Sequence, residues 1–438
     1  MPDRPDVSII IVSYNTRELL RECLESLRGT DNPVRENPGS PRGTDIPVRE
    51  NTSSPRGTDN PVRENPGSPR GTDNPVRENT SSPRGTDNPV RENPGSPRGT
   101  DNPVRENTSS PRGTDNPVRE NPGSPRGTDN PVRENTGLDI PAQATREIIV
   151  IDNASADGSA QMVAECFPEV KLIANSENRG FGAACNQGLQ IAQGRYALIL
   201  NADIRAEASA LQRLVAFMDV HPDAAACGGQ LRYPDGRIQP SCARELTLWW
   251  VFCEQSLLAK LFPRTRLFGG YWRTYWDFGS TIETEQVMGA CLMLRPCGTD
   301  KNVRATEDNA GTDKNVRATG FPLFDESYFL YCEDTDLCYR IRQAGGRIYY
   351  VHDAVFIHHL GASGEPQRAA MVIYYNKGKE RYFRKFHGEW QARVCRFLNK
   401  LGALLRVLIG VAGVLFTLGR SQKAKPYAKV FWEVLLRS

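Results

Sequence analysis

Residues 195–207 read RYALILNADIRAE. Tyr196 to Leu200 form an unbroken apolar run, the pattern of a strand covered on both faces. The run ends in Asn201-Ala202-Asp203. Residues two apart on an extended strand share a face, so Asn201 and Asp203 can address one spot at its tip. Two oxygen-bearing side chains in that position suit a hard cation, Mg2+ or Mn2+, whose remaining positions go to water and phosphate oxygens. A nucleoside diphosphate is the natural further ligand. The competing reading is an Asx turn that merely closes the strand.

Working outward, the same arrangement recurs. VSIIIVS (7–13), EIIVID (147–152) and VKLIAN (170–175) are further apolar strands. Between them lie segments with helical spacing: 16–27, with Thr16 placed as N-cap, then 158–167, 181–193 with Gly194 suited to the C′ position, and 207–218. Apolar strands alternating with amphipathic helices predict an α/β fold with a mostly parallel sheet covered by helices. Ligands of such sheets bind beyond the carboxyl ends of the strands. Three strands end there in polar clusters, SYN at 13–15, DNASADG at 152–158 and NAD at 201–203.

The chain has 438 residues, but repeats occupy much of it. From Arg28 a unit such as RGTDNPVRENPGSP recurs every fourteen residues, through eight copies, to about residue 137. Ordering one unit costs at least ~14 kcal/mol of backbone entropy, and its single Val returns roughly 1.5–3 kcal/mol if buried. Residues 28–137 therefore read as a disordered insert. A smaller repeated pair fills 298–320. The domain expected is 1–27 plus 138–376, followed by a basic tail from 377 to 438.

The overall charge of +3 conceals an asymmetry, because 377–438 holds fourteen Lys or Arg against three Glu. A basic tail on an acidic body suggests an anionic membrane surface as partner. Nucleic acid is not expected. The run ALLRVLIGVAGVLFTLG (403–419) is short for a spanning helix and reads as interfacial or partly inserted. The eleven cysteines include no C-x-x-C pair, and the first apolar run comes too early and is too short for a signal peptide. The expected location is cytoplasmic, peripheral on the inner face of the cell membrane.

A second chemical cluster lies in 324–359. Glu333, Asp334 and Asp336 open a helix, and the strand after it ends in His358-His359. Acids in a first helical turn are ordinary dipole partners. One acid held against a like charge and apolar walls would instead have a raised pKa and could serve as a general base. A neutral imidazole at the strand end could complete a metal site, or be structural.

Taken together, VSIIIVSYNTRELLRECLESL, EIIVIDNASADGS, NRGFGAACNQGL, YALILNAD, VMGACLMLR, FDESYFLYCEDTDLCYRIRQAGGRI and VFIHHLGAS resemble the inverting family 2 glycosyltransferases of GT-A fold, especially a rhamnosyltransferase-like subgroup. The stretches cover 1–27 and about 138–365 outside the inserts, in the family's order. The resemblance implies that Tyr14, Asp152, Asn153 and Arg179 surround the nucleotide. It implies that Asp203 matches the second Asp of the D-x-D metal motif, with Asn201 replacing the first. His358, five residues before Ser363, matches the further metal ligand in preference to His359, and Asp334 the catalytic base. A nucleotide-sugar donor, a glycan or polyprenyl-linked acceptor and Mg2+ or Mn2+ are implied with them, in cell-surface polysaccharide synthesis.

The inserts depart from the family. The 298–320 insert falls in a short link before FDE, on what is expected to be the acceptor side, which leaves open a degenerate copy acting as a repeat-mediated binding protein. A nucleotidyltransferase shares the sheet and the metal–diphosphate chemistry and is the other alternative. Trp249, Trp250, Trp272 and Trp276 could form a sugar-stacking platform, a membrane-facing edge or ordinary packing.

Overall fold

In β1 (Val7–Ser13) the side chains alternate between two faces, and both faces are buried. Ile9 and Ile11 join one core and Ile10 the other, so the strand is central and sandwiched between helical layers. The computed structural model describes residues 4–29, 144–296, 320–359, 368–416 and 424–437. Apart from end residues, the 28–137 insert and the 298–320 insert lie outside the described residues, as does Ser363.

In chain order the elements after β1 are α1 (Arg17–Gly29), β2 (Arg146–Asp152), α2 (Ser159–Cys166), β3 (Lys171–Ala174), α3 (Phe181–Ile191), β4 (Tyr196–Asn201), β5 (Ile204–Ala206) and α4 (Ala210–Val220). There follow β6 (Ala224–Arg232), β7 (Ile238–Gln239), β8 (Cys242–Ala243), α5 (Leu248–Gln255), α6 (Leu258–Leu261), β9 (Ile282–Glu283), β10 (Gln286–Val287) and β11 (Cys291–Leu294). The last are α7 (Glu333–Gln343), β12 (Arg347–His358), α8 (Arg368–His387), α9 (Glu389–Phe416) and α10 (Ala424–Arg437).

The main sheet runs β3-β2-β1-β4-β11-β6-β12-β5. The first four strands are parallel, as their alternation with helices predicts. The other half is mixed: β11 lies antiparallel between β4 and β6, while β12 is parallel to β6 and antiparallel to β5. One face is covered by α1, α2 and α4 through Leu20, Leu24, Met162, Val163, Leu211 and Leu214. The other is covered by α3 and α7 through Ala184, Leu189, Leu337 and Ile341. This is the GT-A type of sheet that the resemblance implies.

Three local readings change. Gly194 is not a left-handed helix cap, since α3 closes at Ala192 in extended conformation. Its role is close approach: a Cβ there would meet the Ser8 amide nitrogen and lie 2.7 Å from the Tyr196 carbonyl oxygen. The boundary drawn at 376/377 falls inside α8, a continuous helix whose Lys379, Tyr382 and Phe383 are buried. The basic tail is thus joined to the body, through a cluster of Leu246, Val251, Tyr382, Phe383, Ala392 and Cys395. The four tryptophans do not form one platform. Trp276 packs on Phe278 and Tyr350 of the core, whereas Trp249 is exposed beside Phe252 and Phe268.

Candidate active site

The chain leaves β1 towards β2 on one side and later returns to β4 on the other, so the tips of β1 and β4 flank a topological switch point. Register aligns the polar tips: Ser13 stands opposite Asp152, and Val12 opposite Asn201. Beyond Asn201 the chain turns and enters β5, which pairs with the end of β12 so that Ile204 faces His358. The His359 N–H donates to the Asp203 carbonyl at 3.0 Å and pins this turn.

That pairing brings Asp203 and His358 together. His358 Nε2 lies 3.2 Å from Asp203 Oδ1, and Asn201 Nδ2 lies 3.5 Å from the same ring nitrogen. His358 is buried. Its other nitrogen, Nδ1, is 3.0 Å from Gln239 Oε1, while Gln239 Nε2 donates to the Met288 sulfur at 3.8 Å. The Gln239 oxygen is therefore the acceptor, and the ring proton belongs on Nδ1. Nε2 is then the ring atom left to meet the carboxylate oxygen. A ring nitrogen and a carboxylate oxygen at that distance are joined by a proton or by a shared cation.

An octahedral ion with bonds of about 2.1 Å sets neighbouring ligands about 3 Å apart, so the pair fits two adjacent positions of a Mg2+-like shell. Among the described residues no group of three or more His, Cys, Asp and Glu is arranged to hold an ion. The protein offers two such ligands, which suits a cation completed by water and diphosphate oxygens.

On the nucleotide side, Tyr14 is 43% exposed at the exit of β1 and Asp152 is buried at the tip of β2. Asp152 Oδ2 accepts the Ser155 N–H at 3.0 Å, but Oδ1 is buried without a partner among the described residues. A buried carboxylate oxygen left bare at a strand tip is a site awaiting a donor. Asn153 has a different role from the one implied. Its Nδ2 donates to Asn178 and Gly180, and its Oδ1 accepts from Asn175 and from the Arg179 amide. With all four positions used, it shapes the 175–180 loop and has none left for a nucleotide. The Arg179 side chain is exposed on that loop.

Asp334 is placed by backbone geometry. Tyr331 and Cys332, just before α7, both have positive φ, at 69° and 67°. Two non-glycine residues in that region hold the chain in a conformation it does not favour alone. They turn Glu333 and Asp334 inward. Asp334 Oδ2 accepts the Gly289 N–H at 2.9 Å, and Oδ1 the Thr335 N–H at 2.7 Å. Burial pushes the Asp334 carboxyl up, and these amide bonds hold it back. Glu333 beside it is pushed well above the usual carboxylate range, by burial first and then by the Asp334 charge. Asp336 is different in kind: Arg340 takes one of its oxygens at 2.6 Å and Lys385 the other at 2.7 Å. It ties α8 to α7.

The two halves of the site meet through Gly289-Ala290. Gly289 holds Asp334, and the next carbonyl, of Ala290, accepts the Asn201 N–H at 3.0 Å. Sequence reading missed Gln239 and Gly289. Gln239 sits in RIQPS, where nothing marks it. Gly289 lies within VMGACLMLR, where its N–H, the functional atom, has no signature in residue type. The 298–320 insert also needs correction. The last residue of β11, Leu294, pairs with Ala197 near the start of β4, and Arg295 donates to the Ala224 carbonyl. The chain leaves for that insert from the edge of the sheet opposite Asp203, not on the side expected of the acceptor.

Residues 141–275 match the family model described as glycosyl transferase family 2. An N-acetylglucosaminyl-diphospho-decaprenol L-rhamnosyltransferase of Mycobacterium tuberculosis (strain ATCC 25618 / H37Rv) is 24% identical over 303 residues, covering 66% of this chain and 90% of that protein. The rhamnosyltransferase WbbL of Escherichia coli K12 is 51% identical over 39 residues, covering 8% of this chain and 15% of that one. Among solved structures, the mannosyltransferase PcManGT from Pyrobaculum calidifontis, in complex with GDP-Man and Mn2+, aligns at a TM-score of 0.41 and 13% identity, over 99% of this chain and 86% of that one. The strands whose tips carry Asp152, Asn201 and Asp203 all fall inside the region that matches the glycosyl transferase family 2 model.

Proposed function

We propose that this glycosyltransferase is metal-dependent and inverting, and that it moves a hexosyl group from a nucleoside-diphosphate sugar to a hydroxyl of a glycan or polyprenyl-linked acceptor. Rhamnose is the sugar favoured by the relatives' names, and cell-surface polysaccharide synthesis the setting. The observation that carries the reading is the approach of Asp203 Oδ1 to within 3.2 Å of His358 Nε2 at a sheet switch point, with Gln239 holding the other ring nitrogen.

Asp203 and His358 would hold the cation, Mg2+ or Mn2+, which when bound offsets charge on the departing diphosphate. Asp152 and Tyr14 receive the nucleotide beside it. Asp334 takes the proton of the acceptor hydroxyl as that oxygen attacks the anomeric carbon. The new C–O bond forms on one face while the bond to the diphosphate breaks on the other, which inverts the centre. A carboxyl that burial raises above its ordinary value suits the base, because it binds the proton it must take more readily. The basic helices α8–α10 support a peripheral position on an anionic membrane. Arg406, the one charge in the apolar run of α9, points inward to the carbonyls of Glu254 and Gln255 and leaves the outer face apolar.

Calorimetry with a nucleoside diphosphate and Mn2+, together with turnover, tests the assignments. Asp203→Ala should lose metal-supported binding. Asp334→Asn should retain binding and lose turnover by about 10²–10⁴-fold. Full activity in Asp334→Asn would remove the base from that residue.

A further inference from the structure

Between α8 and α9 lies a cleft of about 370 Å³ lined by Lys377, Glu380, Arg381, Arg384, Arg396 and Lys400. Five cations share it with one carboxylate. Glu380 is already committed, to Arg384 at 2.8 Å and to Arg396. Among the described residues no carboxylate pairs with Lys377, Arg381 or Lys400, and all three are exposed. Arg381 is held in place by stacking on Tyr328 at 5.6 Å. Like charges gathered in a cleft repel one another unless an anion joins them.

The surroundings narrow the class of anion. Arg396 and Lys400 stand on the same helix as Phe397, Leu401, Leu404 and Leu408, which are 64%, 48%, 40% and 58% exposed. These apolar residues continue along α9 from the cleft at helical spacing. A ligand with an anionic head and a hydrocarbon chain matches both features, the head in the cleft and the chain along the helix. On its other side α8 packs against the turn that aims Asp334. A Cβ on Gly378 would lie 2.7 Å from the Tyr331 carbonyl oxygen and 3.1 Å from the Cys332 side chain.

We infer that this cleft binds the diphosphate of a lipid-linked acceptor and anchors it across α8 from the turn that aims the catalytic base. Glu389 also takes Arg384, at 2.8 Å, which leaves an excess of three positive charges, more than one phosphodiester offsets and suited to a diphosphate. The inference rests on the reading of the acceptor as lipid-borne, but not on the donor site.

The test uses the full chain in EDTA, which silences metal-dependent diphosphate binding at Asp203 and His358. Neutral phosphatidylcholine vesicles carrying a small fraction of geranylgeranyl diphosphate are floated with wild type, with Lys377→Gln/Lys400→Gln, and with Lys429→Gln/Arg437→Gln as a control of equal charge on α10. The cleft variant should lose about tenfold or more in vesicle affinity and the control no more than about twofold. Inorganic pyrophosphate should displace wild type from these vesicles at lower concentration than inorganic phosphate. Equal losses in the two variants would overturn the cleft in favour of diffuse surface charge. The same dependence on the cleft with phosphatidylglycerol vesicles of equal charge would overturn the diphosphate in favour of bulk lipid. Donor calorimetry with Mn2+ should be unchanged in the cleft variant, so failure of the donor site would register separately.

Discussion

At the scale of single residues, the site depends on which atoms are left without partners. Asp336 and Asn153 look as chemical in the sequence as Asp334 and Asp152, and only their hydrogen bonds separate them. Asp336 spends both oxygens on Arg340 and Lys385, whereas Asp152 keeps Oδ1 bare. Gln239 acts through another residue: by accepting from His358 Nδ1 it directs Nε2 at Asp203. Gln239→Leu keeps the volume and removes the acceptor, freeing the ring to change tautomer. We expect a 10–100-fold loss in affinity for a Mn2+–nucleoside diphosphate, with an unchanged melt. Unchanged affinity by calorimetry would leave Gln239 as packing alone. Glu333 allows a prediction in pH. Below its unfolded value of about 4.3 both states hold the proton and no penalty exists. As pH rises, the unfolded state ionises first, because the folded value lies well above. The folded state then binds more protons, so stability falls with pH until the folded value is passed. Glu333→Gln lacks this slope. Urea melts should show the variant gaining on wild type from pH 4 to neutrality, and parallel curves would contradict the burial argument.

At the scale of elements, periodicity carried the reading of half the sheet. The runs at 7–13 and 147–152 became parallel strands because both faces of each are apolar and helices alternate with them along the chain. The other half was not legible. The segment 224–232, with its paired glycines, has no alternation and becomes β6 only because β11 and β12 supply partners on either side. β10 and β8, two residues each, exist only as a pair that delivers Met288 and Gly289 to the site. Asp203 and His358 were legible as separate strand ends, but their meeting depends on β5 pairing with β12, a contact between distant segments. Gly194 shows the same limit. Its place after a helix suggested a cap, yet the requirement comes from β1, whose backbone passes against it. Gly194→Ala should therefore destabilise the domain by about 1–3 kcal/mol, because backbone atoms and not movable side chains oppose the new methyl. A gain in stability, as expected at an unstrained loop glycine, would refute close approach.

At the scale of the whole molecule, the parallel sheet separates chemistry from tolerance to insertion. Asp152, Asn201 and Asp203 stand at the carboxyl ends of the strands, and the chain flanking the large insert stands at the opposite ends. Arg28, at the end of α1, binds Glu169 at 2.7 Å and the Cys166 carbonyl at 3.0 Å, just ahead of β3. Thr145, just ahead of β2, accepts the Asp6 N–H through its carbonyl at 2.9 Å. Both anchors therefore lie at the amino edge, and a right-handed crossover between β1 and β2 needs only a short link there. Replacing 30–143 by about eight Gly and Ser residues removes nearly four doublings of loop length. At ~0.6 kcal/mol each, closure becomes easier by ~2 kcal/mol. We expect the shortened protein to melt cooperatively and more stably by up to that amount. It should bind a nucleoside diphosphate with Mn2+ as wild type does, and turn over within a few-fold of it. A protein that melts normally but no longer binds the donor would place the insert at the site, against the topology of β1, α1 and β2.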